Sequence, residues 1–443
     1  MTIRGMPDKL DIECKKAEYI YKVASKLSRL NGYEQIQTPI LEHASTFTKS
    51  AGQYSDIVSK EMYIFKDRNE DLISLRPEGT AGTVRALVSN GFLNSLPKKL
   101  FYFGPMFRHE RPQKGRLRQF DQFGVEIYGI FHPTADVECI HLAWKFIQDL
   151  RLDGDSKILI NTLGDSESRL KYKNALVSYF EKNRDKLSKD SIARLDKNPL
   201  RILDSKDPGD IEIVNGSPDI FEFLSLSSIR RYEFIESSLK ELDIPFKRVK
   251  SLVRGLDYYD HTVWEVVSNS ARLGRSQNTI LAGGRYNNLV KLFGGSSQTP
   301  GIGWAAGVER LSYLLNNEEA FIEAEPVSII LVPETMISNE SDSYQNKDIS
   351  YKLMTMAMKV STKLSSSGIR SSIIHTTSGG ASNKINYPSL SKQLNAANKM
   401  QSKSVVIIGE NEIINDCVVL KDFKNNSQTT CKVSELPEKI RGF

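Results

Sequence analysis

Apolar residues recur at helical spacing through Ile20, Val23, Ala24, Leu27 and Leu30, which predicts a helix over 8–30. Asn31-Gly32 supplies its stop. The next run, Tyr33 to Thr38, alternates and halts at Pro39, as a strand end does. From there to about residue 130, short strand-like runs alternate with turns. Leu142, Phe146 and Leu150 then share one helical face. Residues 165–250 keep helical spacing, are rich in lysine and serine and hold few strand signals. They read as an inserted helical subdomain. Strand character returns over 252–310.

The grammar changes after residues 316–326, a linker-like stretch running from Asn316-Asn317 to Glu325-Pro326. Val327–Val332 and Val405–Ile408 are buried-type strands, and Ile369–Ile374 lies between them as a third. Leu353, Met356, Ala357, Val360 and Leu364 mark one amphipathic helix, and Leu390, Leu394 and Ala397 mark another. Strand–helix–strand–helix–strand predicts a small, mainly parallel sheet with right-handed crossovers. The expected division is 1–320 and 326–443. Ser365-Ser366-Ser367-Gly368 and Ser378-Gly379-Gly380 read as short loops, and there is no internal repeat.

Composition changes this picture little. The 443 residues carry a formal net charge of +6 with 40% hydrophobic residues, which permits an acidic partner without demanding one. Cys14, Cys139, Cys417 and Cys431 form no CxxC pair, so neither a zinc ribbon nor a disulfide framework is indicated. They read as reduced, mostly buried thiols. The N-terminus shows no signal peptide and no run is long enough to span a membrane, so a soluble, cytoplasmic protein is expected.

The chemistry concentrates in a few segments. Leu100–Phe103 reads as a strand, and 105–118 carries Arg108, Arg111, Lys114, Arg116 and Arg118 against one acid, Glu110. Pro112 and Gly115 place these cations on a loop. In the returning strand Phe123, Val125 and Ile127 point one way, and Gln122, Gly124, Glu126 and Tyr128 the other. An amide, a carboxylate and a phenol in one row suit the floor of a polar pocket. A solvated hairpin with a basic tip is the plainer alternative. The arginines beside an aromatic platform weaken it, because guanidinium binds phosphate bidentately and phenylalanine can stack a purine.

Arg76-Pro77-Glu78-Gly79-Thr80 leads from a strand into a helix. Glu78 and Thr80 there suit a substrate ammonium, or Thr80 simply caps the helix. Arg254, Asp257, Tyr258 and Tyr259 follow a short apolar strand at Leu252-Val253. They suit a phosphate-plus-ligand site, or the tyrosines are core residues. Gly283-Gly284-Arg285-Tyr286 reads as a glycine turn, and 299–310 as strand into helix ending on Arg310. That last stretch has GxGxxxG spacing and no surrounding βαβ unit, which excludes a dinucleotide fingerprint. There is no P-loop. The six histidines, His261 among them, show no metal-ligand spacing.

Taken together, RPEGTAGTVRAL (76–87), FRHERPQKGRLRQFDQFGVEIYG (107–129), LVRGLDYYDHTVWE (252–265), AGGRYNNLV (282–290) and TPGIGWAAGVERL (299–311) resemble the histidyl-tRNA synthetase family of class II aminoacyl-tRNA synthetases. GYEQIQTPILE (32–42) is similar to motif 1, and GENEI (409–413) with VVLKDF (418–423) is similar to the family's anticodon domain. Asn287 stands where the family usually has aspartate, and the loop 376–388 is longer than usual. The resemblance implies an α+β fold: a six-stranded antiparallel catalytic sheet with a helical insertion, then an α/β anticodon-binding domain, assembled as a homodimer partly through motif 1.

It also implies ATP-dependent ligation of L-histidine to tRNA(His) through a histidyl-adenylate, with ATP entering as its Mg2+ complex and no tightly bound cofactor or resident metal. By family position, Arg108 and Arg254 hold the α-phosphate, Arg310 the γ-phosphate, and Phe120 stacks on adenine. Glu78, Thr80 and Gln122 hold the amino acid's polar ends, and Glu126 and Tyr259, with Tyr258 near, read the imidazole. Arg111, Gln113, Lys114 and Arg116 meet the tRNA acceptor end. A synthetase-like RNA sensor inside a larger regulator would call for a kinase or other effector segment, which the sequence does not show, and two other readings stay open here. One is a regulatory paralogue that serves ATP phosphoribosyltransferase, which usually lacks the C-terminal domain. The other is a different class II synthetase, which would share the arginines but not LVRGLDYY beside GGRY.

Overall fold

The computed structural model describes residues 1–51, 55, 57–256, 258–273, 278–295, 299–316, 321, 325–333, 343–375 and 387–442. Asp257, the glycine-rich 378–380 and most of the loop 376–388 lie outside them. The chain divides into two units, Met1–Phe321 and Ile322–Phe443. No helix among the described residues is long and apolar enough to cross a membrane.

The first unit holds eleven described strands. They are β1 Glu34–Gln35, β2 Leu41–His43, β3 Tyr63–Lys66, β4 Leu72–Leu75, β5 Lys98–Phe107, β6 Gln119–Tyr128, β7 Ser156–Thr162, β8 Phe246–Arg248, β9 Asp260–Ser268, β10 Thr279–Arg285 and β11 Gly301–Gly307. Eight form one sheet in the order β1-β5-β6-β11-β10-β9-β7-β8, and β2-β4-β3 make a small antiparallel one. The six inner strands of the large sheet are all antiparallel, as the resemblance implies. An extra strand pairs in parallel at each edge, β1 on β5 and β8 on β7. The strand expected from Tyr33 to Thr38 shrinks to two residues.

Alternation gives this sheet two different faces. Phe123, Val125, Ile127, Trp264 and Trp304 pack one face against Ile20, Ala24 and Leu27 of the helix Ile12–Leu30 and Ile140, Phe146 and Ile147 of the helix Thr134–Asp149. The opposite face carries polar and phenolic side chains and opens onto the site.

The helical insertion contains Ser166–Lys182, Lys189–Lys197, Pro208–Asn215 and Leu226–Glu241. Its serines have a structural use: Ser188 and Ser225 cap helices by accepting N–H bonds from Ser191 and Ser228. Ser188, Ser191 and Ser205 also donate hydroxyls to the buried Asp210. The last helix does not stand apart, because Tyr232, Ile235 and Leu239 join the main core.

The second unit has β12 Val327–Val332, β13 Ser371–Ile373, β14 Ser404–Gly409, β15 Cys417–Asp422 and β16 Gln428–Lys432, in the order β13-β12-β14-β15-β16. The first three are parallel, as the pattern predicts, and the last two extend the sheet antiparallel. Leu353, Ala357, Val360 and Leu364 of the helix Ser343–Ser366 cover one face. Of the four thiols, Cys139 and Cys431 are buried, while Cys14 is exposed and Cys417 half-buried.

Candidate active site

Glu78 shapes the entrance to the helix Thr80–Ser89. Its two carboxylate oxygens accept the N–H groups of Thr80 (2.6 Å) and Ala81 (2.8 Å). Gly79 holds the N-cap position and Thr80 is the first helical residue, so the first helical N–H groups are satisfied by the Glu78 carboxylate and not by a Thr80 cap. Burial raises the Glu78 pKa, and those two N–H groups and Arg108 oppose the rise. The Thr80 hydroxyl instead donates to Glu126 (2.7 Å) on β6. The other Glu126 oxygen accepts from the Tyr286 hydroxyl. Burial pushes the Glu126 carboxyl up to about 8, against the pull of those hydroxyls.

Room for Glu126 comes from glycine. Its partner on β11 is Gly303, where a Cβ would stand 1.7 Å from a Glu126 oxygen. One strand further, Gly284 lies beneath the Tyr259 ring, 2.5 Å from where a Cβ would sit. Gly283-Gly284 is thus not a turn. Both glycines lie within β10, and the close approach they allow is to aromatic rings of the same chain. Tyr258, Tyr259 and Tyr286 cluster with ring centroids 4.6 to 6.3 Å apart. Leu252-Val253, expected as a strand, is irregular chain with both side chains buried.

The hairpin β5–β6 carries Arg108, whose Nε donates to the Pro77 carbonyl (2.8 Å) and whose guanidinium lies 5.2 Å from the Phe120 ring centroid. Buried Glu110 pairs with Arg116. Arg310 donates Nε to the Gly115 carbonyl (3.4 Å) and Nη1 to that of Thr279. Burial, and then Arg116, lowers its pKa. Arg254 pairs with Glu265 of β9, which also accepts from the Thr279 hydroxyl (2.7 Å). Burial works against the Arg254 charge, but Glu265 together with Tyr259 and Tyr258 outweighs it and raises the pKa.

One cavity of about 600 Å³ brings together Glu78, Thr80, Arg108, Arg116, Phe120, Gln122, Arg254, Tyr258, Tyr259 and Arg310. Glu126 does not line it and sits just beneath, fully buried. Arg111, Gln113 and Lys114 are exposed on the hairpin loop, outside the lining. Gln122 spends its carbonyl oxygen on the Gly79 N–H (3.1 Å), so its amide donor end is the one that serves a ligand. Sequence reasoning missed Tyr286 and Glu265. Glu265 had a signal, as the one carboxylate within the apolar run Val263-Trp264-Glu265-Val266-Val267. It also missed the buried support beneath Tyr286, where Asp136 accepts from Arg285 (3.1 Å), Arg231 (3.1 Å) and Thr262.

The family model described as histidyl-tRNA synthetase matches residues 5–311. The chain belongs to the histidyl-tRNA synthetase family. A second family model, an anticodon binding domain, matches 329–442. A histidine–tRNA ligase of Rhodospirillum rubrum is 41% identical over all of this chain and 98% of its own length. One from Pediococcus pentosaceus is 40% identical, covering 98% of this chain and 97% of its own. The apo histidyl-tRNA synthetase of S. aureus superposes with a TM-score of 0.76 at 30% identity, over 100% of this chain and 99% of that one. Its family thus accounts for the class II catalytic sheet and the C-terminal anticodon-binding fold seen here.

Proposed function

We propose that this chain ligates L-histidine to tRNA(His) in two steps, activating the amino acid as histidyl-adenylate with MgATP. One observation carries the reading. Buried Glu78 lines the same cavity as Arg108, Arg254 and Arg310, and buried Glu126 lies outside the lining, bonded to Thr80, which does line it. A zwitterion with a basic side chain complements the carboxylates and a triphosphate the arginines.

Each residue then has work that its geometry suits. Glu78 faces the substrate ammonium, and the Gln122 amide donor faces the carboxylate. Glu126 and Tyr259, with Tyr258 behind, read the imidazole. Thr80 acts on that reading through Glu126. Phe120 takes adenine, and Arg310 takes the γ-phosphate. Arg108 and Arg254 neutralise the α-phosphate as a histidine carboxylate oxygen attacks phosphorus and pyrophosphate leaves. The carboxylate is already a nucleophile at neutral pH, so positioning and charge supply the catalysis. A terminal ribose hydroxyl of tRNA next attacks the acyl carbonyl and AMP departs. Arg111, Gln113, Lys114 and Arg116, exposed on one loop, suit the acceptor end.

The work belongs in the cytoplasm, and the assembly is a homodimer. Support for the dimer comes from Ile40, Leu41, Ile64, Phe65 and Leu72, large apolar side chains exposed on and beside β2, β3 and β4 at motif 1. Light scattering reads the mass directly, and a species of one chain would reject the dimer.

The activity is tested by pyrophosphate exchange with each of the twenty amino acids and MgATP. Exchange with histidine alone is expected. Exchange with another amino acid instead overturns the roles of Glu126 and Tyr259, and none at all overturns the enzyme.

A further inference from the structure

The chain before the first helix is tied down beside the catalytic cavity. The Gly5 carbonyl accepts the Arg118 N–H (2.8 Å) where the hairpin loop rejoins β6. Gly5 lies at φ +83°, and a Cβ on it would stand 2.8 Å from Pro112 of that loop and 3.0 Å from Arg118. Further on, the Lys9 ammonium reaches two carboxylates together, Asp121 of β6 and Glu309 of the helix Val308–Leu314 (2.7 Å).

Asp121 and Glu309 also meet each other. β6 pairs with β11 from Tyr128 as far as Gln122, opposite Gly307. There β11 gives way to the helix, and the Glu309 side chain takes the Asp121 N–H, its two oxygens accepting at 3.0 and 3.1 Å. A side chain thus satisfies the backbone where the ladder has ended. The arrangement brings two carboxylates together, and that of Glu309 is buried. Like charges so placed repel, and burial sharpens the repulsion. Burial raises the Glu309 pKa, and Lys9 opposes the rise. At the far end of the same short helix, Lys16 donates to the Ser312 and Leu315 carbonyls, each at 3.3 Å.

The neighbours of these partners give the contact its meaning. Asp121 lies between Phe120 and Gln122, and Glu309 precedes Arg310. We propose that Lys9 is a positioning residue for the nucleotide, clamping the strand that presents the Phe120 ring to the helix that presents Arg310. The inference rests on the adenine and γ-phosphate roles given to those two residues above. Without Lys9 the carboxylates push apart, the Asp121–Glu309 bond opens and Arg310 shifts relative to the ring. A misplacement of about 1 Å in a positioning group can cost on the order of 10²-fold. Histidine binding is spared, because Gln122 is held separately by the Gly79 N–H and Glu78 stands at the start of another helix.

The test measures, by calorimetry on the full-length chain, affinity for a non-hydrolysable ATP analogue with magnesium and, separately, for histidine. K9M is expected to lose about ten-fold or more in nucleotide affinity, with histidine affinity within about two-fold of wild type. K9R can still bridge both carboxylates and should stay within about three-fold for both ligands. K9M/E309Q should recover most of the nucleotide affinity, because glutamine still accepts the Asp121 N–H and brings no charge that needs Lys9. K22M removes an exposed lysine of the following helix and should match wild type. Wild-type nucleotide affinity in K9M, equal losses for both ligands, or a double variant no better than K9M overturns the clamp. A wild type that binds histidine and no nucleotide overturns the roles of Phe120 and Arg310 themselves, and the clamp with them.

Discussion

The Thr80 hydroxyl donates to the Glu126 carboxylate at 2.7 Å, joining the start of one helix to the middle of a strand 46 residues on. In the proposed roles, Thr80 thus orients the group that would read the imidazole. Thr80→Val keeps the shape and removes the donor, leaving a buried carboxylate oxygen short of a partner. That costs about 1–3 kcal/mol, so the KM for histidine should rise roughly ten-fold or more while the KM for ATP holds. Thr80→Ser should restore it. Steady-state pyrophosphate exchange reads both, and an unchanged histidine KM in Thr80→Val would sink the assignment.

Glu126 also makes the empty enzyme sensitive to pH. Burial lifts its carboxyl from the ordinary 4.5 to about 8. The folded chain therefore holds this proton more tightly than the unfolded chain. The associated stability is full below about pH 4.5 and is lost as pH rises through about 8. Urea unfolding of the ligand-free protein should weaken from pH 5 to 8 by an amount on the order of a few kcal/mol. Asp260, pushed up to about 6 by burial, changes in the same direction within that window. The informative quantity is accordingly the difference between wild type and Glu126→Gln, which lacks the Glu126 component. Parallel pH curves for the two proteins would contradict it.

Alternation along β6 was enough to separate Phe123, Val125 and Ile127 from Gln122, Glu126 and Tyr128, because a half-buried strand has period two. The helices of both units were legible for the same reason at period 3.6. Glycine was harder. In β10 it reads as a turn because local propensity cannot see the Tyr259 ring that occupies the vacant side-chain space. Leu252 and Val253 look like a strand because burial alone makes them apolar. Tyr286 on Glu126 and Arg285 on Asp136 join residues 160 and 149 positions apart, with no local pattern to announce them. The roles proposed for Arg108, Arg254 and Arg310 rest on the motifs, since the arginines by themselves point only to phosphate in general.

Arg254 is held by Glu265, whose other oxygen accepts from Thr279. Arg254→Ala removes the charge proposed to face the α-phosphate and should slow adenylate formation by roughly 10²–10³ in kcat. Glu265→Gln keeps the side chain's shape and the Thr279 bond but loses the ion pair, so about a ten-fold fall in kcat is expected, with histidine KM little changed. Single-turnover adenylate formation measures each. A histidine KM effect without a kcat effect would place Arg254 in amino-acid binding instead.

Gly303 is the floor under Glu126. A methyl at this position would stand 1.7 Å from one Glu126 oxygen and 2.4 Å from the Val125 carbonyl on the paired strand. Neither the strand nor the doubly hydrogen-bonded carboxylate can yield cheaply. Gly303→Ala should cost about 1–3 kcal/mol of stability and abolish histidine-dependent exchange. Thermal unfolding and exchange on the same sample separate the two effects, and a folded, fully active variant would contradict the packing.

Asp136 is fully buried and carries two cationic partners. Its carboxylate accepts from Arg285 Nε and Arg231 Nη1, each at 3.1 Å, and from the Thr262 hydroxyl. Arg285 is itself fully buried and adjoins Tyr286 in sequence, so this cluster fixes the backbone from which Tyr286 reaches Glu126. Replacing the pair by apolar groups of equal volume is often harmless, but removing one partner strands a charge. Asp136→Ala would strand two guanidinium groups and should destabilise the first unit by about 3–5 kcal/mol. Asp136→Asn keeps the hydrogen-bonding shape without the charge and should cost less while still raising the histidine KM, because Tyr286 shifts. Chemical denaturation gives the ordering Ala, then Asn, then wild type. An Asn variant with wild-type histidine KM would confine Asp136 to stability and cut its link to the imidazole reader.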